Sequence, residues 1–235
     1  MRTTGAMRRL LGPVAVVVTL AACSYAAPVT GPGSPGLTGL DLAQIGYQKS
    51  EVFLGGVARS YAPTAPLTND GRWSVAPTST TATFKTRMVT IRPIDPADFD
   101  GTVVVEWLNV SAGSDIPTDW IMAHNEFVRR GVAYVGVSAQ AVGVNALKSQ
   151  NPDRYGSLVH PGDSFSYDMF SDAARQIRTN PAKVLDGLVP QRLIATGESQ
   201  SAARMVTYVD AIQPLDHLFD GFMVHSRSAS GSKLS

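Results

Sequence analysis

The stretch Arg192–Arg204, RLIATGESQSAAR, decides the fold. It begins with the apolar residues of a buried strand and ends in an alanine-rich segment that favours a helix. Between the two, the pentapeptide GESQS at 197–201 places Ser199 at a sharp strand-to-helix turn. Such a turn presents the serine hydroxyl away from the sheet, and the residues two before and two after must be small because the two backbones pass close together. Gly197 meets this requirement and Ser201 replaces the usual second glycine, so the motif is a variant, Gly-x-Ser-x-Ser.

Ser199 has two interpretations at this stage. As a nucleophile it would have a helix amino terminus behind it, where backbone N–H groups and the positive dipole end suit a developing negative charge on oxygen. As a structural residue it would cap the helix, as serine commonly does. The spacing of the motif alone does not separate the two.

The segments around the motif alternate between strands and helices. Nearly continuous apolar runs predict buried strands, and helical spacing of apolar residues predicts helices. This alternation is the signature of right-handed crossovers and a mostly parallel sheet with helices on both faces. In such folds ligands bind at the carboxyl ends of the strands, where Ser199 lies. The predicted strands are 102–108, 132–137, 192–196 and 219–224, and the predicted helices are 119–130, 166–179 and 200–212.

Three further expectations concern local structure. Residues 54–83 are rich in Pro, Gly, Thr and Ser and predict loops with one or two short strands, whereas 83–91 predict an edge or antiparallel strand. Thr118 or Asp119 can cap the helix at 119–130, and Gly131 ends it.

The amino terminus has the features of an export signal. Basic residues precede the apolar run 10–20, which is too short to span a bilayer of roughly 20 helical residues but suits the core of a signal peptide. Leu20-Ala21-Ala22-Cys23 resembles the lipobox of bacterial lipoproteins, whose cysteine thiol is joined to diacylglycerol. The resemblance implies a signal peptide at 1–22 and a lipid on Cys23 that anchors the protein to the cell membrane on its extracytoplasmic side. The alternative is an ordinary cleaved signal with an incidental cysteine.

The composition of the chain is that of a globular protein. It has 235 residues, of which 44% are hydrophobic and 17% charged. Residues 23–39 are rich in Ala, Pro, Gly, Ser and Thr and predict a flexible tether, which leaves 40–235 as the folded domain. Without residues 1–22 the chain carries 17 basic and 19 acidic residues and no basic patch, which argues against a nucleic-acid partner. A single cysteine excludes an intramolecular disulfide.

Longer strings outside the serine motif resemble the α/β-hydrolase superfamily, and more narrowly the bacterial "α/β hydrolase domain-containing" proteins. They extend over most of the chain after the signal. The resembling strings are 101–109, 136–140, 154–158, 160–168, 195–201 and 224–227.

The resemblance implies roles for individual residues. Ser199 matches the nucleophile, and the backbone N–H of Gln200 matches the first donor to the oxyanion. The second donor comes from the loop that follows the strand at 102–108, where the amides of Asn109, Val110 and Ser111 are the candidates. The implied reaction is attack of the serine on a small-molecule ester or related acyl group, followed by hydrolysis of the acyl-enzyme by water. The resemblance implies no metal and no organic cofactor, and the sequence contains none of the common dinucleotide, phosphate or zinc motifs.

The chain departs from the superfamily in one respect. The acid and the histidine of the triad follow the serine on later strands, whereas this sequence stops at Ser235. We therefore expect a partial chain, truncated after the serine turn and the strand that comes next. The alternative is a non-catalytic lipoprotein of the same fold that binds an acyl ligand or a protein partner.

Two histidines border the expected site. His225 ends the predicted strand beside the one that carries Ser199, and it is the candidate substitute base; a site-lining or hydrogen-bonded core residue is the alternative. His160 lies in a loop that borders the same region, where structural turn chemistry accounts for it.

Overall fold

The computed structural model describes residues 24–33 and 36–234. The predicted signal peptide at 1–22 and the predicted lipid attachment at Cys23 lie outside the described residues. Within the described ranges, no helix is both long enough and apolar enough to cross a bilayer.

Seven strands of the described chain form one mixed sheet. Neighbouring strands lie in the order β1-β2-β3-β5-β4-β6-β7. The pairs from β1 to β5 in this order are antiparallel, and the pairs among β5, β4, β6 and β7 are parallel. The strands are β1 (Tyr25–Pro28), β2 (Tyr47–Pro63), β3 (Val75–Pro93), β4 (Thr102–Trp107), β5 (Ala133–Val137), β6 (Arg192–Glu198) and β7 (Gly221–His225).

Helices follow the parallel strands as the alternation predicted. Helix α6 continues into a π-helical turn, Tyr208–Ile212, and then into α7. Short 3₁₀ turns occur at Ala43–Ile45, Pro96–Asp98 and Asp163–Phe165. The α-helices are α1 (Thr118–Arg130), α2 (Ala141–Gln150), α3 (Pro152–Tyr155), α4 (Ser166–Thr179), α5 (Pro181–Val184), α6 (Gln200–Thr207) and α7 (Gln213–Asp216).

Helices cover both faces of the sheet. Val103 and Val105 of β4 point into the main core, where they meet α4 and α6. Val104, the residue between them, points into a second cluster with Trp120 and Phe127 of α1. Because side chains alternate along a strand, a strand that is apolar at every position needs a helix on each side. The predicted α/β architecture with helices on both faces is therefore confirmed.

The prediction of loops with one or two short strands over 54–83 is wrong for most of that range, because the strands there are long and only 64–74 lie outside them. β2 and β3 form a long antiparallel hairpin, with a register shift between Arg59 and Tyr61. The run of Thr and Ser at 78–83 belongs to β3, because β-branched residues favour extended backbone as well as turns. The predicted strand at 83–91 is antiparallel as expected, and it is paired on both sides rather than at an edge.

The flexible tether predicted over 23–39 is wrong for its first part. Tyr25–Pro28 pair with β2 as the outermost strand. Beyond that strand, the carbonyl oxygens of Gly31 and Gly33 accept hydrogen bonds from Nη1 of Arg154 at 2.9 and 3.0 Å. Composition indicated flexibility here, but backbone hydrogen bonds to the domain order the segment.

Candidate active site

Ser199 sits between β6 and α6 in a strained backbone conformation. Its φ of 53° and ψ of −108° lie outside the regions that non-glycine residues normally occupy. The residue is exposed, and its side chain makes no capping hydrogen bond with α6. The helix-cap interpretation is therefore wrong, and the turn has the geometry expected of an exposed nucleophile.

Small residues on either side make this turn possible. A Cβ on Gly197 would lie 2.8 Å from Cγ of Met205 and 2.9 Å from the carbonyl oxygen of Ser201, so no side chain fits there. Ser201 is buried, and its hydroxyl donates to the carbonyl oxygen of Glu198 at 3.0 Å and accepts from the Glu198 N–H at 3.1 Å. The serine at the second small position thus adds two hydrogen bonds that hold the turn closed.

The backbone N–H groups that are candidate oxyanion donors differ in whether they already donate to an acceptor in the protein. The Asn109 N–H donates to the Ile116 carbonyl oxygen at 3.2 Å, and the Ser111 N–H donates to Oδ1 of Asn109 at 2.8 Å. The Val110 N–H has only a long contact, 3.4 Å, with Oε1 of Gln200. The Gln200 N–H donates to no acceptor among the described residues. Val110 and Gln200 therefore carry the two amides most available to a substrate oxygen.

Gln200 is also held through its side chain. Its Nε2 donates to Oε1 of Gln140 at 2.7 Å, and Nε2 of Gln140 donates back to Oε1 of Gln200 at 3.0 Å. Gln140 lies after β5 and is 1% exposed. The string 136–140 was recognised by resemblance alone, and the structure places its last residue against the turn that carries Ser199.

His225 lies beside Ser199, but its ring faces another partner. The Ser199 N–H donates to the His225 carbonyl oxygen at 3.2 Å. Nε2 of His225 lies 2.6 Å from Oδ1 of Asp119, a carboxylate whose side chain is 1% exposed. Oδ2 of Asp119 accepts from the Thr196 hydroxyl at 2.9 Å. Between Ser199 Oγ and the His225 ring there is no hydrogen bond in the described structure.

The sequence reasoning missed Asp119 as a partner of His225. Asp119 was a candidate helix cap, and no motif links it to a histidine 106 positions later. Only the order of strands, which sets β6 between β4 and β7, brings the two side chains together.

Comparison with known proteins fixes the family. The family model for the alpha/beta hydrolase domain matches residues 12–235. This chain belongs to that family. The resemblance inferred from the sequence strings and the fold class are both confirmed.

Several solved esterases resemble this hydrolase domain at low sequence identity. A glucuronoyl esterase from Teredinibacter turnerae is 14% identical with a TM-score of 0.39, over 90% of this chain and 47% of its own. Esterase Est22 is 12% identical with a TM-score of 0.43, over 77% and 45%. A thermophilic esterase from the planctomycete Thermogutta terrifontis is 18% identical with a TM-score of 0.33, over 52% and 38%. The chain thus spans less than half the length of these esterases. No curated protein matches the sequence.

A buried glutamate contacts the backbone of Asp119, the partner of His225. Glu106 of β4 accepts hydrogen bonds from the N–H groups of Asp119 and Trp120 at 3.0 and 3.3 Å, and from the Tyr134 hydroxyl at 2.6 Å. Burial, and then the charge of Asp119, raise the pKa of Glu106 to about 8. The predicted cap of α1 is therefore wrong: neither Thr118 nor Asp119 caps the helix, and the carboxyl group of Glu106 accepts from the N–H groups of Asp119 and Trp120 instead. Gly131 ends the helix with a φ of 72°, as predicted.

His160 has a structural role in the hydrolase domain. Nδ1 accepts from the Gly162 N–H at 3.2 Å, so Nε2 carries the proton and donates to the Ala139 carbonyl oxygen at 3.0 Å. Burial lowers the pKa of His160, which favours this neutral form. The turn interpretation of His160 fits these contacts. In the part of the chain that the structure describes, no three His, Cys, Asp or Glu side chains converge to hold a metal ion.

Proposed function

We propose that this protein is an esterase-like serine hydrolase in which Ser199 is the nucleophile. The observation that carries the proposal is the exposed, positive-φ conformation of Ser199 at the carboxyl end of β6, with a side chain that caps nothing. Membership of the alpha/beta hydrolase domain family supports the same reaction class.

The proposed reaction uses the amides around this turn. Ser199 Oγ attacks the carbonyl carbon of an ester, and the N–H groups of Gln200 and Val110 stabilise the resulting oxyanion. Collapse of the tetrahedral intermediate expels the alcohol, which takes the proton removed from the serine. Water then hydrolyses the acyl-enzyme to a carboxylate and free serine. The substrate class is a small ester, amide or lactone.

We further propose that His225 removes the serine proton. Donation of its Nε2–H to Asp119 orients the ring and leaves the lone pair of Nδ1 free to accept the proton. Ser199 Oγ must turn toward the ring for this step, which is common because catalytic hydrogen bonds often tighten only when substrate binds. The chain order Asp119, Ser199, His225 differs from the serine-acid-histidine order of the superfamily. The competing prediction is that a longer hydrolase supplies a later acid and histidine.

A serine-directed fluorophosphonate probe and a short-chain p-nitrophenyl ester test the nucleophile. Three proteins are compared: wild type, Ser199→Ala, and Ser79→Ala, a control at an exposed serine of the β2–β3 hairpin. We expect wild type and Ser79→Ala to be labelled and Ser199→Ala to lose labelling and at least about 10³-fold in turnover. Equal labelling of all three would refute Ser199. No labelling of wild type would favour the non-catalytic binding protein.

The base is tested with the same probe. His225→Ala and Asp119→Asn should slow labelling by about 10²-fold or more, whereas His217→Ala, at an exposed histidine, should not. Free imidazole should restore part of the rate of His225→Ala. Unchanged labelling of His225→Ala would place the base on a segment beyond those described.

For location we propose export and anchoring through a lipid on Cys23. The support is the basic and apolar run before Cys23 and its small preceding residues. Growth with a labelled fatty acid should label the wild-type protein and leave Cys23→Ala unlabelled. Equal labelling would remove the anchor from the proposal.

A further inference from the structure

We propose that Gln140 is a positioning residue for the reaction of Ser199, and that it acts through the side chain of Gln200. The inference rests on the proposed function. Gln140 lies beyond the carboxyl end of β5, touches none of the reacting atoms directly, and was assigned no role by the sequence.

The contact between the two glutamines fixes the side chain of Gln200. Each amide donates one hydrogen bond to the other and accepts one from it, at 2.7 and 3.0 Å. Gln140 is 1% exposed and Gln200 is partly buried, so on the Gln140 side the amide depends on this pair for its hydrogen bonds. With both ends of the amide engaged, the side chain of Gln200 has a single arrangement.

In that arrangement the side chain of Gln200 lies next to the backbone N–H of Val110, one of the two proposed oxyanion donors. Oε1 of Gln200 also faces the Val110 N–H at 3.4 Å, which is too long for a strong hydrogen bond. A charged substrate oxygen is a better acceptor than a neutral amide oxygen, so it can displace this contact. Gln200 therefore supplies one proposed oxyanion donor, its backbone N–H, and its side chain contacts the other, the Val110 N–H.

The turn that carries Gln140 is itself held on both sides. The Ala139 carbonyl oxygen accepts from His160 at 3.0 Å, and the Ala141 N–H donates to Oδ1 of Asp163 at 2.9 Å. The other oxygen of Asp163 accepts from Arg204 of α6 at 2.9 Å. Because α6 begins at Gln200, the turn and the nucleophile helix are tied together at two points. Gln140 is thus fixed relative to Ser199.

The test replaces the amides by side chains of similar length without hydrogen-bonding capacity. The variants are Gln140→Met, Gln200→Met, the double variant, and Gln150→Met as a control at an exposed glutamine with no side-chain hydrogen bond in the described structure. Gln200→Met retains the backbone N–H of residue 200. The measurements are kcat and KM for p-nitrophenyl esters, the rate of fluorophosphonate labelling, and the melting temperature.

We expect Gln140→Met to lower kcat and the labelling rate about tenfold or more, with little change in KM. The double variant should lose no more than Gln200→Met, because the two residues act as one unit. Wild-type rates in Gln140→Met, or losses that multiply in the double variant, would overturn the inference and leave Ser199 intact. An unreactive wild type would instead refute the proposed function, and the inference would fall with it. A loss that tracks melting temperature and affects kcat and KM alike would assign Gln140 to stability alone.

Discussion

At the scale of single residues, the exposed position of Ser199 depends on its neighbours. Gly197 lets the end of β6 pass against α6 without a side chain between them, and Ser201 closes the turn through Glu198. A strained φ persists only where surrounding contacts determine it. The position of Ser199 is thus set by residues that take no part in the proposed chemistry.

Gly197→Ala tests this dependence. The added Cβ would meet Met205 and the backbone of Ser201 at under 3.0 Å, and the backbone contact cannot be relieved by a side-chain rotation. We expect a loss of about 1–3 kcal/mol in the free energy of unfolding, measured by urea denaturation, together with slower fluorophosphonate labelling. Gly39→Ala is the control, because nothing lies within 4 Å of the Cβ it would add. Equal stability of the two variants would contradict the packing argument.

Some of the candidate site residues could be predicted from the sequence, and others depend on contacts that only the fold creates. Ser199 and Gln200 could be proposed as site residues because a local turn requires small residues at fixed spacing and because the surrounding strings resemble a known family. Asp119 was not found as the partner of His225, since their contact depends on strands that meet only in the fold. Among the three candidates for a second oxyanion donor, Asn109, Val110 and Ser111, the proposal of Val110 depends on the hydrogen-bond partners of their N–H groups, which the sequence does not show.

At the scale of elements, the start of α1 depends on a side chain from β4. The side chain of Glu106 accepts hydrogen bonds from the N–H groups of Asp119 and Trp120 in the first turn of the helix, where a capping side chain would normally accept them. Two buried acids are therefore in contact: Glu106 accepts from the Asp119 N–H, and the carboxylate of Asp119 contacts the His225 ring. The strands and helices that alternate around Ser199 were predictable from periodicity, but a hydrogen-bond acceptor supplied to a helix start from another element leaves no local signal.

The pH dependence of unfolding tests the buried glutamate. Its pKa is raised from 4.5 to about 8 in the folded protein, so between these values the native state binds more protons than the unfolded state. Stability should therefore fall as the pH rises from about 5 to about 8, by up to about 1.4 kcal/mol per pH unit. Glu106→Gln should flatten this slope, and Glu126→Gln, at an exposed glutamate, should keep it. Denaturant titrations at several pH values measure the difference, and parallel slopes for wild type and Glu106→Gln would count against the raised pKa.

At the scale of the whole molecule, the antiparallel hairpin joins the α/β half through the pairing of β3 with β5, and near its far end a carboxylate of α4 also contacts β2. Next to the register shift between Arg59 and Tyr61, the Arg59 N–H donates to Oδ2 of Asp168 at 2.8 Å. Oδ1 of Asp168 accepts from the Tyr61 hydroxyl at 3.0 Å. Asp168 lies on the first turn of α4 and is 2% exposed. Only residues 83–91 of the hairpin were predicted as a strand, because the Thr and Ser residues before them suit turns as well as strands. The contact of the hairpin with α4 joins residues distant in the sequence, which local patterns do not reveal.

We expect Asp168→Ala to destabilise the β2–β3 hairpin around Arg59 and Tyr61 more than the parallel strands. It leaves the Arg59 N–H and the Tyr61 hydroxyl without their acceptor in a buried position, so we expect a loss of about 2–4 kcal/mol in the free energy of unfolding. The amide hydrogens of residues 57–62 should also exchange with solvent faster than those of the parallel strands, because the outer hairpin then opens without unfolding the core. Asp153→Ala, at an exposed carboxylate with no hydrogen bond in the described structure, should change neither measurement. If exchange rose equally in β2 and in β4, Asp168 would stabilise the domain as a whole, and the hairpin would have no separate opening.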